Sequence, residues 1–377
     1  MCYETNKLYN CALYVCDKFF EETNKYIGYN QLYHEIKTNI HYKNINNTAV
    51  AQQILRLVDK DFRSFFALLR RKLTGKYSAP INTPKFKKKG SQFIVVFPVD
   101  RIHIKDNFLK LSKSIKIPFS YRLDGTLRQV IIKPRLNYFI INIQYEENKK
   151  ETPILNKNNI LGIDLGLNNL ASCLSNIGTS LIVNGKPLKS YNQYWNKRKV
   201  TIQSELELRN KVKWSKKLNR LSINRSNYIN NYLNQSVALI IKHCLKNNIG
   251  TIICGYNESW KQELNLGKVT NQNFAYIPFN SFKRKLEYKC QENGIEFNLI
   301  EESYTSKCSF LDCEELIKKE EYLGKRIKRG LFKTFNGILC NADVQAAGNI
   351  IRKVVPNANF ANGIEGAIVR PKVLEIF

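Results

Sequence analysis

The periodicity of apolar residues changes twice along the 377-residue chain, and this limits the folds that it can adopt. From residue 5 to about 75, apolar side chains recur every three or four positions, which predicts amphipathic helices. Between 76 and about 150, short runs such as FIVVF and YFIINIQY predict the strands of a small antiparallel barrel or sandwich. From about 155 onwards, strands and helices alternate. Together these patterns predict a multidomain α+β fold.

Positive charge is the second constraint. The chain has 60 Lys and Arg residues against 31 Asp and Glu residues, a formal net charge of +29. Residues 51–150 hold 22 basic and 7 acidic side chains, and residues 197–225 hold ten and two. Such clusters repel each other in a compact fold unless a polyanion neutralises them, and nucleic acid is the usual polyanion. The alternative is a basic surface that meets only solvent.

Several classes of protein are disfavoured. No run approaches 18 apolar residues, so we expect no membrane span. The N-terminus, MCYETNKLYN, lacks the basic and apolar regions of a signal peptide, so we expect a cytoplasmic protein. Most of the ten cysteines lie in apolar runs such as CALYVC, and the four histidines lack ligand spacing. Histidine-based metal sites are therefore not expected.

A candidate for chemistry first appears in the apolar segment LGIDLGLNNLAS. An ionised carboxylate in a buried strand is costly unless it binds a cation, so Asp164 is a candidate metal ligand. Gly166 would allow a tight turn beside that ligand. The alternative is an aspartate that only caps a turn.

The second candidate carboxylate lies in CNADVQAAGNII. Asn341 is a possible N-cap, which would place Asp343 in the first turn of a helix. Ala346, Ala347 and Gly348 would let this helix pack closely on a sheet. Two aspartates so placed can hold a pair of Mg²⁺ (or Mn²⁺) ions, which activate a water and stabilise the leaving oxygen of a phosphodiester. The alternative is a carboxylate favoured there by the helix dipole.

Segments along most of the chain resemble the TnpB (OrfB) family, transposon-encoded RNA-guided DNA nucleases. The resemblance is carried by LYNCALY, AQQILRLVDKDFRSFF, GIDLGLNNLA, WKQELNLGKVTNQNF, EESYTSKCSF, KRIKRGLF and NADVQAAGNIIRK. The domains that it implies are a helical recognition lobe (1–75), a β-barrel wedge-like domain (76–154), a ribonuclease H-like (RuvC) α/β nuclease domain (155–302) with long basic helices at 196–247, a degenerate zinc-ribbon-like target-nucleic-acid-binding insertion (303–340), and a final RuvC helix with the C-terminal tail (341–377).

The resemblance also implies an Asp, Glu, Asp site, with Asp164 and Asp343 as the two aspartates. The family's glutamate ends the fourth strand, but Gly255 or Tyr256 stands there in TIICGYNESWKQ. A carboxylate from the next strand, GIEFNLIEESYTS, could reach the same metals, since neighbouring strands lie about 5 Å apart. In order of preference the replacement candidates are Glu302, Glu301 and Glu258.

Zinc is not expected in the insertion. The family often carries two CxxC pairs there, but only Cys308 aligns with a ligand, while Leu311, Lys333 and Asn336 occupy the other positions. The insertion instead holds KRIKRG, which could grip a phosphate backbone. The chain also begins almost at the first predicted helix, without the family's usual wedge-domain strand, which predicts a truncated reading frame.

The resulting prediction is a transposon-associated, Mg²⁺-dependent DNA endonuclease that uses guide RNA to find target DNA. The resemblance also implies a prokaryotic, nucleoid-associated protein. The alternative is a nuclease-inactive, RNA-guided DNA-binding regulator. A transposase acting on its own element is less favoured, since the His pair and Tyr of a single-strand transposase are missing. The side chains predicted to contact nucleic acid are Lys85, Lys87, Lys88, Lys89, Lys197, Arg198, Lys216, Lys217, Lys325, Arg326, Lys328 and Arg329.

Overall fold

The computed structural model describes residues 1–120, 124–135, 138–148, 151–212, 214–256 and 277–376. The chain forms two compact units, Met1–Lys150 and Glu151–Phe377. Among the described residues, none of the helices is both long enough and apolar enough to span a membrane.

The first unit begins with helices, where the apolar periodicity predicts them. They are α1 (Cys2–Thr23), α2 (Tyr29–Ile36), α3 (Ile40–Lys43) and α4 (Thr48–Leu73). The buried positions on α4 follow helical spacing, as Ile54 and Val58 show. The Asn47 side chain caps this helix by accepting a hydrogen bond from the Val50 N–H at 3.2 Å.

Strands complete the first unit. They are β1 (Val95–Pro98), β2 (His103–Lys105), β3 (Phe108–Lys110), β4 (Lys116–Pro118), β5 (Gly125–Arg135) and β6 (Tyr138–Glu147). They form two three-stranded antiparallel sheets, β1-β5-β6 and β2-β3-β4.

The prediction of a small closed barrel is wrong for the described part of this region, because β1 and β6 are the two edges of an open sheet. One face of that sheet packs on the helices. Phe97 and Val130 share an apolar core with Leu13 and Ile54. Since helices cover this face, the sheet need not close on itself to bury it.

A six-stranded mixed sheet forms the centre of the second unit. Its strands are β7 (Asn156–Leu165), β8 (Asn169–Ser175), β9 (Ser180–Asn184), β10 (Ile249–Tyr256), β11 (Glu296–Glu301) and β15 (Lys372–Leu374). The order across the sheet is β11-β10-β7-β8-β9-β15. β7, β8 and β9 are antiparallel, whereas β10 and β11 run parallel to β7. The carboxyl ends of β7, β10 and β11 therefore meet at one edge.

Helices cover both faces of this sheet. They are α5 (Lys186–Asn210), α6 (Lys216–Lys246), α7 (Phe279–Glu292), α8 (Ala342–Val354) and α9 (Ile364–Val369). α6 and α7 share a core with the sheet through residues such as Ile240 and Phe282. On α8, Ile350 packs with the sheet residue Ile253. α8 lies so close to β7 that a Cβ on Gly162 would sit 2.1 Å from the Ala347 carbonyl oxygen.

A small antiparallel sheet lies between β11 and α8 in the chain. Its strands are β12 (Lys325–Lys328), β13 (Leu331–Lys333) and β14 (Leu339–Asn341), in that order. β14 runs directly into α8, so this insertion is anchored to the helix that carries Asp343.

Candidate functional site

The candidate site is a cleft at the edge of the six-stranded sheet where β7, β10 and β11 end. Asp164 is the penultimate residue of β7, Glu302 directly follows β11, and Asp343 is the second residue of α8. Distant parts of the sequence thus bring three carboxylates to one cleft. Its polar lining is formed by Asp164, Asn168, Asn169, Lys186, Glu302, Ser306, Arg326, Arg329 and Asp343.

Asp164 is partly buried and strongly affected by its surroundings. Burial is the main cause that raises its pKa well above the usual range, and the negative charges of Glu302 and Asp343 raise it further. Arg326 opposes this shift without cancelling it. A carboxyl in this environment gains free energy when a cation neutralises it.

Glu302 fills the space beside the position where the expected glutamate is missing. A Cβ added to Gly255 would lie 2.8 Å from the Glu302 Oε2 atom. Backbone pairing continues past the end of β11, since the Glu302 N–H donates to the Tyr256 carbonyl at 3.1 Å. Glycine at 255 therefore leaves room for the neighbouring strand's carboxylate.

The carboxyl group of Glu302 is an unusual buried acceptor. Oε2 is buried and has no hydrogen-bond partner among the described residues. Burial and the charge of Glu301 raise the pKa of Glu302 to about 7, against the opposing effects of Lys283 and Lys353. Buried polar atoms are rarely left unpaired in proteins, so this oxygen is suited to an additional ligand.

Glu301 is placed differently. Its carboxylate accepts hydrogen bonds from the Ser303 N–H at 2.9 Å and from Lys353 Nζ at 3.0 Å. Burial alone would raise the pKa of Glu301, but the hydrogen bonds from Ser303 and Lys353 outweigh it and lower the pKa. Glu301 is exposed and does not line the cleft, whereas Glu302 does. Glu258 lies outside the described residues.

Asp343 is held by hydrogen bonds at the start of α8. The Asn341 side chain caps the helix as predicted, accepting from the Asp343 and Val344 N–H groups at 3.1 Å each. Asp343 itself accepts from Asn169 Nδ2 at 2.8 Å and forms an ion pair with Arg326 at 2.7 Å. In the described part of the chain, no three His, Cys, Asp or Glu side chains lie close enough together to hold one metal ion.

Asn169 and Lys186 are cleft residues that the sequence analysis missed. Asn169 is the first residue of β8, which returns antiparallel from β7, so the hairpin brings it back towards Asp164. The signal was present in GIDLGLNNLA, where two asparagines follow the strand end. Arg326 was assigned only to phosphate binding, and its pairing with Asp343 could not be foreseen.

The predicted nucleic-acid contacts are nearly all exposed side chains. In the first unit, Lys85, Lys88 and Lys89 are exposed, whereas Lys87 lies over the rings of Tyr9 and Phe93 at 4.3 and 5.1 Å. In the second unit the exposed members are Lys197, Arg198, Lys216, Lys217, Lys325, Arg326, Lys328 and Arg329.

The backbone of the lysine-rich segment is fixed to α1. Asn10 donates to the Lys87 carbonyl at 2.9 Å and accepts from the Lys87 N–H at 2.7 Å. Asn6 donates to Ser91 Oγ at 2.9 Å. The segment is therefore an ordered basic surface rather than a loose linker.

Two family models match the chain. OrfB_IS605, described as "Probable transposase", matches residues 142–261, and the Cas12f1-like TNB domain matches residues 279–350.

Two curated proteins are similar to the chain. The TnpB-like protein ORF457 of Acidianus two-tailed virus is 26% identical over 394 residues, covering 90% of this chain and 81% of the relative. The CRISPR-associated endodeoxyribonuclease Cas12f1 of Sulfoacidibacillus thermotolerans is 25% identical over 239 residues, covering 61% of this chain. That match spans about half of the relative, 53% of its length.

A solved structure shares the fold. The cryo-EM structure of a Cas12f1–sgRNA–target DNA complex matches with a TM-score of 0.58 at 18% identity, covering 93% of this chain and 80% of the other. The chain is thus a multidomain α+β protein with a fold similar to that of Cas12f1. In sequence the chain is similar to a TnpB-like protein and to Cas12f1, in agreement with the resemblance that its motifs indicate.

Proposed function

We propose that the protein is an RNA-guided DNA endonuclease whose ribonuclease H-like (RuvC-type) site consists of Asp164, Glu302 and Asp343. One observation carries this proposal. Three carboxylates from separate chain segments line one cleft, and one of them has a buried oxygen without a hydrogen-bond partner among the described residues.

The cleft fits divalent metal ions by its chemistry. Carboxylate and amide oxygens are the ligands that Mg²⁺ and Mn²⁺ prefer, and Asp164, Glu302 and Asp343 would hold the ions. Bound metals would supply an activated water and stabilise the leaving oxygen of the phosphodiester. Burial and the charges of Glu302 and Asp343 raise the pKa of Asp164, whereas burial and the charge of Glu301 raise that of Glu302. A bound cation relieves both effects.

Arg326 supplies positive charge to the carboxylates of the cleft. Its guanidinium pairs with Asp343 and opposes the raised pKa of Asp164. The same guanidinium would bind a phosphate of the strand to be cut through charge-assisted hydrogen bonds. Arg329 and Lys186 line the same cleft and add positive charge for the substrate.

Guide RNA and target DNA are the proposed partners. The net charge of +29 and the exposed basic side chains suit two polyanions bound by shape and backbone. The similar solved structure is, by its title, a complex of Cas12f1 with sgRNA and target DNA. The predicted recognition lobe, wedge-like domain and target-binding insertion belong to this proposal.

Cleavage by purified protein tests the proposal. RNA that copurifies with the protein is sequenced, and DNA complementary to its guide segment, with randomised flanking sequence, is incubated with Mg²⁺ or Mn²⁺. We expect the wild type to cut. Asp164→Ala and Glu302→Gln should lower the rate by about 10²-fold or more, the scale of losing a positioned charged group.

Glu301→Gln is the matched control, since it removes the neighbouring carboxylate, which does not line the cleft. We expect it to keep the wild-type cleavage rate within about threefold, as for surface changes remote from chemistry. A wild type that binds the guide-matched DNA without cutting it would instead establish the alternative, a nuclease-inactive, RNA-guided DNA-binding regulator. Normal cutting by Glu302→Gln would remove Glu302 from the site.

A further inference from the structure

The insertion between β11 and α8 has Leu311, Lys333 and Asn336 at positions where the family often carries zinc-binding cysteines. A structural zinc site needs four sulfur or nitrogen ligands in a tetrahedron. Cys308 is buried and its thiol donates to the Glu315 carbonyl at 3.3 Å. Leu311 packs in an apolar cluster, and Lys333 is exposed. The residues at these positions do not fit zinc.

A carboxylate joins the two turns that paired zinc ligands would otherwise join. The first turn is 308–313 and the second is 333–337. Asp312 of the first turn accepts hydrogen bonds from Ser309 Oγ at 2.6 Å and from the Phe335 N–H at 2.8 Å. Its other oxygen accepts from Asn336 Nδ2 at 3.4 Å. Asp312 therefore connects the first turn to the second directly.

A second carboxylate fixes the first turn to the following loop. Glu314 is only 2% exposed. It accepts from the Ser309 N–H at 2.8 Å and from the Leu323 N–H at 3.0 Å, and Lys319 Nζ lies 3.7 Å away. A buried carboxylate with several donors is a strong local cross-link, because charge-assisted hydrogen bonds are stronger than neutral ones.

The first turn is also anchored to α8. Asn349 Nδ2 donates to the carbonyl oxygens of Thr305 at 2.9 Å and Cys308 at 2.8 Å. The Phe310 N–H donates to Gln345 Oε1 at 2.9 Å. The helix that carries Asp343 thus holds one side of the insertion.

The second turn leads back to the candidate site by another route. It follows β13, which pairs with β12 through Arg326 opposite Phe332. Arg326 in turn forms the ion pair with Asp343. Because Asp312 links the two turns, a continuous series of contacts runs from α8 through the first and second turns to Arg326.

We propose that Asp312 and Glu314, here called the carboxylate clasp, take the place of a structural zinc and position the Arg326 hairpin (325–333) against α8. They are positioning residues, since neither lines the cleft. The clasp is independent of whether the protein cuts DNA, so its tests do not depend on activity.

Zinc content of the wild-type protein is the first test. Protein purified in zinc-supplemented medium is analysed by elemental mass spectrometry and melted with and without EDTA. We expect zinc far below one atom per chain and an unchanged melting temperature in EDTA. One zinc per chain that is lost in Cys308→Ser would overturn the proposal.

Hydrogen exchange of variants is the second test. In Asp312→Ala we expect the Phe335 amide to exchange roughly tenfold faster or more, the loss expected for a charge-assisted hydrogen bond. Exchange in 325–333 should also rise, while β10 should keep wild-type protection. Asp312→Asn, which keeps an acceptor oxygen, should restore most of that protection. Glu320→Gln, at an exposed site in the same insertion, is the control.

Unchanged exchange in 325–341 of Asp312→Ala would overturn the clasp. If that variant fails to fold, the zinc content of the wild type and its melting temperature in EDTA still test whether the clasp replaces a structural zinc. Cleavage measured on the same variants separates the two proposals. Altered exchange in a protein that never cuts DNA would sustain the clasp while the nuclease proposal fails.

Discussion

Replacing Gly255 with alanine is expected to disturb both the packing and the chemistry of the cleft, because the added methyl group has no room. It would lie 2.7 Å from Ile350 Cδ1 and 2.8 Å from Glu302 Oε2. Ile350 is fully buried and cannot move into solvent. The methyl group must therefore displace the isoleucine, the carboxylate or β10 itself.

The size of the effect follows from these distances. Forcing one extra methyl group into a packed core costs about 1–3 kcal/mol. For a unit of this size, each kcal/mol lowers Tm by about 2–4 °C. If the Glu302 carboxylate moves by about 1 Å, cleavage should fall by about 10²-fold, the usual cost of misplacing a reacting group.

Urea unfolding and guide-directed cleavage of the same preparations measure both effects. Gly366→Ala is the matched control, since a Cβ at that position meets no atom within 4 Å. It should be neutral or stabilise by up to about 1 kcal/mol, as alanine does in a helix. Ile350→Val removes the Cδ1 atom that the new methyl group would contact. The double variant Gly255→Ala/Ile350→Val should therefore regain stability, but it should not regain cleavage, because the contact with Glu302 remains.

The reasoning is refuted if Gly255→Ala unfolds at the wild-type urea concentration and cuts at the wild-type rate. Lost stability with normal cleavage would mean that the position of Glu302 does not matter to the reaction. That result would count against Glu302 as the third carboxylate.

Three further predictions concern charge, pH and hydrogen bonding. Lys88→Gln should reduce the slope of log affinity against log salt for guide RNA by about 1, whereas Lys87→Gln should not, because Lys87 already lies over two aromatic rings. Burial, helped by nearby lysines, lowers the pKa of His243, so the folded state resists protonation. Stability should therefore be fully present above about pH 6.5 and fall below it, and His243→Gln should flatten this loss in urea unfolding. Asn169→Ala should lower the cleavage rate by about tenfold while leaving DNA binding unchanged, because Asn169 orients Asp343 with a 2.8 Å hydrogen bond.

Each of these predictions has a contrasting outcome. Equal salt slopes for the Lys87 and Lys88 variants would show that the ordered conformation of this segment is not kept in the complex. His34 is exposed, so His34→Gln is the control for His243, and an equal acid loss in all three proteins would exclude His243 as its source. Asn169→Ala that cuts at full rate would show that Asp343 needs no such orientation.

Several features of this protein could be predicted from local sequence because their causes are local. The helices of residues 2–73 follow apolar spacing, and the Asn341 cap follows from an asparagine before an apolar helix. The barrel prediction failed because strand patterns record which side chains alternate, not what covers them. The helices α1 and α4 cover one face of the β1-β5-β6 sheet, and that packing involves residues far apart in the chain.

The candidate site divides in the same way. The two aspartates stand out in the sequence, since each is an acidic residue in an apolar or small-residue context. The sequence analysis preferred Glu302 to Glu301, but the alternation of side chains could not decide between them, because that pattern becomes irregular where a strand ends. Which of the two lines the cleft depends on contacts with residues far away in the sequence. Lys353 donates a hydrogen bond to Glu301, and the glycine at 255 leaves space for Glu302.

By itself, the sequence determined the mixed α+β composition, the strong positive charge, the resemblance to TnpB proteins and the two candidate aspartates, since periodicity, charge and motifs are properties of neighbouring residues. Only the tertiary structure decided that the first sheet stays open, that Lys87 packs on aromatic rings, and that Glu302 and Arg326 join the aspartates. The physical reason is common to all three. Each depends on the space and charge that one part of the chain presents to another.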